Sequence, residues 1–300
     1  MRFPDNARVC FVGDSMTAGN GVMTRVATCY KNTYPDSHIR FFNCGVSGGN
    51  IRYALKRLDD DTLIHNPTHA VVAFGINDSR ISSILTSDMS EQEKSEKLET
   101  AFADYKENLK TLCDRLTQFG AKVTVCAPPP YDEFADSDTV SWTGGYAVMK
   151  KYAEYVCDFA KANSYALVNY NKALTEQMPT QTVYELDRVH PNMLGAYYMA
   201  KAILDSHGLN IGEYAEYDPC TAEWRALVSK HRQIQAVEYM IVQEKATDIT
   251  EKLKIVEEYS PTADSEYMKK ISLTYLECKR DEEEILKQIY KTFDKDILKL

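Results

Sequence analysis

The sequence predicts an α/β protein built on a mostly parallel sheet, followed by a helical extension. Three observations predict it. Between residues 8 and 210, short apolar runs alternate with longer stretches of helical periodicity, the pattern of successive βαβ units. The run Ala70-Val71-Val72-Ala73-Phe74 is apolar at every position, as expected of a central strand covered on both faces. After residue 212 glycine disappears, and the chain becomes charged with long helical patterns.

The elements follow in order. Residues 8–12 form a first buried strand ending at Gly13. A helix over 23–34 stops at Pro35, because proline offers no amide to continue it. Residues 39–43 are the second strand, followed by the turn Gly45-Val46-Ser47-Gly48-Gly49 and a helix over 53–58. The third strand is 70–74. A long helix over 91–119 ends at Gly120, a residue suited to a left-handed cap. The fourth strand, 122–127, is stopped by Pro128-Pro129-Pro130. A helix over 145–163, a short strand over 166–169 and a helix over 192–206 complete the first domain, taken as residues 1–212. In such sheets, ligand-binding groups collect at the carboxyl ends of the strands.

Residues 213–300 form the second domain. Thr221 is an N-cap for a helix reaching about residue 259, with Trp224, Leu227, Ile234 and Val237 on its apolar stripe. Ser260-Pro261 starts a second helix carrying Ile271, Tyr275, Cys278 and Ile285. The two are expected to pair as an antiparallel hairpin serving as a homo-oligomer contact or a lid.

Composition narrows the function classes. Net charge is −9 over 300 residues, which disfavours nucleic acid or an anionic membrane as partner, since both need a basic patch. No run of about 18 apolar residues predicts a membrane span. The eight cysteines show no C-x-x-C pair and no zinc spacing, and they read as reduced core thiols in a cytoplasmic protein. The N-terminus lacks an apolar segment of secretory length.

Four short motifs carry chemistry. Gly13-Asp14-Ser15 follows the first strand, so Ser15 sits at a strand-to-helix turn, where backbone amides favour negative charge. Asp and Ser are also ordinary helix caps, and the spacing is not the G-x-S-x-G elbow of α/β-hydrolases. The Gly45–Gly48 turn brings backbone close to a ligand. Asn77, in Gly75-Ile76-Asn77-Asp78, offers a neutral N–H donor to a developing oxyanion. Asp187-Arg188-Val189-His190 spaces a carboxylate three residues from an imidazole, which it can orient. Asp14 and Asp78 are expected to brace their turns.

With these blocks in this order over roughly residues 8–206, the chain resembles the SGNH (GDSL-like) hydrolase family. The resemblance implies a flavodoxin-like three-layer α/β/α sandwich with a five-stranded parallel sheet. It implies that Ser15 is the nucleophile, His190 the general base and Asp187 its orienter. It also implies an oxyanion hole formed by the Ser15 and Gly48 amides and the Asn77 side chain. Gly48 is chosen over Gly45 as the second glycine of its turn. Neither metal nor organic cofactor is needed. The helical extension inherits nothing from the family.

The expected substrate is a small acyl ester, O-acetyl on a carbohydrate. Tyr131, Trp142 and Tyr146 follow the fourth strand and are candidates to stack on a sugar or line an acyl pocket. The alternatives are a lysophospholipase or thioesterase activity, acyl transfer to an alcohol, and a non-catalytic scaffold working through the helical extension.

Overall fold

The structure is a computed structural model and describes residues 2–19, 21–214 and six single positions beyond them. The chain divides into two units, Met1–Tyr217 and Asp218–Leu300. Apart from residues 213–214 and those six positions, the helical pair predicted for residues 213–300 lies outside the described residues, with its break at 260–264 and its oligomer or lid role.

The first unit runs β1 (Arg8–Gly13), α1 (Ser15–Ala18), α2 (Gly21–Thr33), β2 (Arg40–Gly45), α3 (Ile51–Lys56), α4 (Leu58–Asp61) and β3 (His69–Ala73). It continues with α5 (Ile76–Ser79), α6 (Ile81–Leu85), α7 (Glu91–Phe119), β4 (Lys122–Ala127), α8 (Gly145–Ala162), β5 (Ala166–Asn169), α9 (Tyr170–Thr175) and α10 (Met193–Ser206). The strands form one sheet in the order β2-β1-β3-β4-β5, with every neighbouring pair parallel. That is the flavodoxin-like order, with helices on both faces.

Register explains why the site gathers where it does. Gly13 lies opposite Gly45 on one side and Ala73 on the other. The three central strands therefore end level, and the turns that follow them emerge side by side. Alternation along β1 feeds two cores. Cys10 and Val12 join Ala70, Val72, Val123 and Val125 against Ile51, Leu109, Leu112, Tyr152 and Val156 of α3, α7 and α8. Phe11 faces the other way, towards Val22 and Met23 of α2, Tyr170 of α9 and Met199 of α10. Full burial of each such side chain contributes roughly 1.5–3 kcal/mol.

The long helix begins with a reciprocal capping box between Ser90 and Glu93 and ends at Gly120. The short helices α1, α4, α5, α6 and α9 were not predicted. Each is four to six residues, too short for one full amphipathic repeat to register. Strand β2 runs on to Gly45 because the ladder to Gly13 continues there. Cys10, Cys29, Cys44, Cys113 and Cys126 are buried, and Cys157 is half-buried. Cys220 and Cys278 lie outside the described residues. Among the described residues no helix is long and apolar enough to cross a membrane.

Candidate active site

Gly13 ends β1 where no other residue fits: a Cβ there would sit 2.1 Å from Thr17 Oγ1 and 2.7 Å from the Ala73 carbonyl oxygen. The chain can therefore turn sharply, and Asp14 caps α1 by accepting the Met16 amide at 3.0 Å. Ser15 is the first residue of that helix and is half-buried.

Across from it, residues 184–191 form a tight hairpin. Tyr184 bridges Pro191, and the Glu185 amide donates to the His190 carbonyl at 2.8 Å. Inside it, Asp187 Oδ1 accepts the amides of Val189 and His190, both at 2.9 Å. Asp187 Oδ2 meets His190 Nδ1 at 2.5 Å. His190 Nε2 lies 2.7 Å from Ser15 Oγ. A continuous carboxylate–imidazole–hydroxyl relay results. Partial burial pushes the Asp187 carboxyl up, but the His190 and Val189 amides and the imidazole outweigh it and hold the carboxyl below its usual range. The acceptor thus stays ionised, as an orienter of imidazolium requires.

The three strand-end turns are bonded to one another. The Val46 amide donates to the Gly13 carbonyl at 3.0 Å, and Asn43 Nδ2 donates to the Thr17 carbonyl at 2.9 Å. Asn77 Nδ2 donates to the Gly49 carbonyl at 2.9 Å, leaving its second N–H for a ligand. The Gly45 amide is engaged by Asn43 Oδ1 at 2.9 Å. Gly48 is exposed with φ +72°, a conformation that favours glycine, and a Cβ there would meet open space. Its amide makes no hydrogen bond among the described residues. Gly48 rather than Gly45 is therefore the glycine with an N–H to offer.

Beneath these turns lie two buried carboxylates. Asp14 is 3% exposed and Asp78 8%. Burial pushes Asp14 up to about 6, against the Met16 hydrogen bond. Burial also pushes Asp78 up to about 7, opposed by the Ile51 amide at 2.9 Å and helped by the nearby Asp14 charge. Asp78 Oδ2 has no hydrogen-bond partner among the described residues, which suits a protonated oxygen.

A stability consequence follows. The folded protein binds Asp78's proton more tightly than the unfolded chain does, so this contribution is full below about pH 4 and is lost as pH rises through about 7. Asp78→Asn keeps the acceptor for Ile51 and removes the titration. Its unfolding free energy relative to wild type is expected to rise by about 2–3 kcal/mol between pH 5 and pH 8 in urea titrations. A difference that stays flat with pH overturns the protonated form.

The three aromatic candidates separate. Tyr131 is fully buried and cannot face a substrate; its ring stacks on Trp142 (centroids 4.7 Å apart, planes within 5°) and its hydroxyl accepts the Trp142 amide. It supports Trp142, which is half-buried and packs in one cluster with Met16, Ile76 and Val189. Those three residues adjoin Ser15, Asn77 and His190 in sequence, so this apolar cluster rims the turns that carry them. Tyr146 instead lines a groove of about 670 Å³ with Phe134, Asp136 and Gln181, which no member of the relay lines. Sequence reasoning passed over Glu133, whose carboxylate accepts the Gly144 and Tyr146 amides at the start of α8, and Arg188. Glu133 lies in no motif, and Arg188 lies within the Asp187–His190 motif, where nothing in the sequence marks it as buried.

Residues 11–197 match the sequence model of the GDSL-like lipase/acylhydrolase family. An acetylxylan esterase from Geobacillus stearothermophilus is 26% identical over 225 residues, spanning 69% of this chain and 97% of that protein. The solved structure of an acetylxylan esterase from the same organism superposes with a TM-score of 0.58 at 22% identity, covering 72% of this chain and all of that one. Variants of that enzyme lacking a serine, an aspartate or a histidine are described as catalytic mutants. A gut microbial diltiazem-metabolizing enzyme superposes with a TM-score of 0.77 at 17% identity, over 98% of this chain and 96% of that one.

Proposed function

Because the chain belongs to the GDSL-like lipase/acylhydrolase family and is a carboxylic ester hydrolase, we propose that it removes small acyl groups, O-acetyl above all, from carbohydrate through an acyl-enzyme on Ser15. The observation that carries this reading is the relay from Asp187 through His190 to Ser15, at 2.5 and 2.7 Å. His190 Nε2 takes the Ser15 proton as Oγ attacks the ester carbonyl carbon. The Ser15 and Gly48 amides and the Asn77 carboxamide hold the tetrahedral oxyanion. The intermediate collapses, the C–O bond to the alcohol breaks, and His190 returns the proton to the departing oxygen. Water, deprotonated by His190, then attacks the acyl-enzyme and releases the acid. This chemistry is assigned to residues 1–212.

The small acyl group is supported by the rim. Met16, Ile76, Trp142 and Val189 pack in one apolar cluster, in which Met16 directly follows Ser15 and Val189 directly precedes His190. The carbohydrate is supported by the likeness to an acetylxylan esterase over nearly all of that protein's length.

A series of p-nitrophenyl esters from acetyl to dodecanoyl tests the acyl group, and acetylated oligosaccharides against lysophospholipids test the alcohol, with Ser15→Ala as the blank. We expect kcat/KM to be highest for acetyl and to fall by at least about tenfold at the longest chain. Preference for long chains or for lysophospholipid overturns the assignment in favour of a lipase-like activity.

A further inference from the structure

The hairpin that carries Asp187 and His190 is poorly held by packing. Of residues 185–190, Arg188 alone is buried, at 5% exposure, while the Asp187 and His190 side chains are each nearly half exposed. Arg188 takes φ +66°, which non-glycine residues adopt only when their surroundings enforce it. The enforcement is visible. Its Nη1 donates to the carbonyls of Ala135 at 2.8 Å, Glu133 at 3.1 Å and Asp132 at 3.3 Å. Its Nη2 donates to the Ser137 carbonyl at 2.8 Å, and its Nε to the Thr139 carbonyl and hydroxyl at 3.3 and 3.2 Å. The loop answers in kind. The Asp132 amide donates to the Arg188 carbonyl at 3.0 Å, and the Ser137 and Thr139 hydroxyls donate to the Leu186 carbonyl at 2.7 and 2.8 Å.

We propose that Arg188 is a positioning residue for ester hydrolysis: by gathering the carbonyls of the 132–139 loop around its guanidinium, it fixes the Asp187–His190 hairpin so that the imidazole stays in line with Ser15. This rests on the catalytic reading of the relay given above. A planar fork with five N–H donors can serve this many carbonyls, and a lysine ammonium cannot. Alignment matters because an error of about 1 Å in a proton-transfer geometry costs on the order of 10²-fold in rate. The coupling runs both ways, since the loop that Arg188 holds leads directly to Trp142 at the apolar rim.

The test uses the full chain with p-nitrophenyl acetate. Arg188→Lys and Arg188→Met are expected to lower kcat by about 10–100-fold while KM moves by less than roughly threefold. In Arg188→Ala, added guanidinium ion at non-denaturing concentration is expected to restore part of the lost kcat, whereas added ammonium is not. Ser137→Ala combined with Thr139→Ala leaves every carbonyl of the arginine cradle in place and cuts the ties to Leu186, together with the single Nε bond to the Thr139 hydroxyl. It is expected to lower kcat by roughly three- to tenfold, and it keeps the idea falsifiable if the arginine variants fail to fold. Folded Arg188 variants with wild-type kcat, or a change confined to KM, overturn the positioning role. Should Ser15→Ala retain wild-type activity, the catalytic reading itself has failed and the role of Arg188 falls with it. If Ser15→Ala is inactive while Arg188→Met is fully active, only the positioning role is overturned.

Discussion

Replacing Ser15 with alanine is expected to lower kcat for p-nitrophenyl acetate by roughly 10⁴–10⁶-fold, leaving only what the oxyanion donors and binding supply. The physical reason is specific to this chain. Ser15 Oγ is the atom within 2.7 Å of His190 Nε2, so its removal leaves the imidazole with no hydroxyl to deprotonate. Folding should survive, because the cap of α1 comes from Asp14 to the Met16 amide and does not involve the Ser15 hydroxyl. KM for the ester should move little, since the rim of Met16, Trp142 and Val189 remains. Steady-state kinetics with a matched thermal melt check this. Activity within about tenfold of wild type would remove Ser15 from the chemistry.

Replacing Asn77 with alanine is expected to cost about 10²–10³ in kcat, the usual loss for one oxyanion donor. Two effects act together. The second N–H of the carboxamide is withdrawn from the developing negative charge. The bond from Nδ2 to the Gly49 carbonyl is also lost, which loosens the turn that presents the Gly48 amide. Asn77→Asp should be at least as damaging. It keeps the shape but puts an anion where the oxyanion forms, and it leaves the Gly49 carbonyl without its donor. The informative measurement is kcat and KM separately. A rise in KM with kcat unchanged would make Asn77 a ground-state contact rather than a transition-state donor.

Much of the fold was legible because its signals are local. The boundaries of β4 and α7 could be read directly, since each is closed by strong punctuation: the proline run after Ala127, and Gly120 after Phe119. The candidate site was legible for a related reason. Ser15, Asn77 and the 45–49 turn each directly follow an apolar run, and a parallel sheet delivers such segments to one edge. The roles of Tyr131 and Tyr146 were not legible, because an aromatic residue in a loop carries no sign of which way it points. Tyr131 is a buried support for Trp142, and Tyr146 lines a groove.

The sequence by itself determined the strand–helix alternation, the residues that close the strands and the Asp187–His190 spacing. These depend on near neighbours along the chain: hydrophobic period, glycine and proline conformations, and short-range hydrogen bonds. Only the tertiary structure decided that Ser15 meets His190 across 175 residues and that Gly48 rather than Gly45 has a free amide. It also decided that Asp78 is buried beside Asp14 and that Arg188 binds the carbonyls of a loop some fifty residues away. Such contacts arise from level strand ends and from buried polar groups seeking partners. Those are properties of packed elements, which no local pattern encodes.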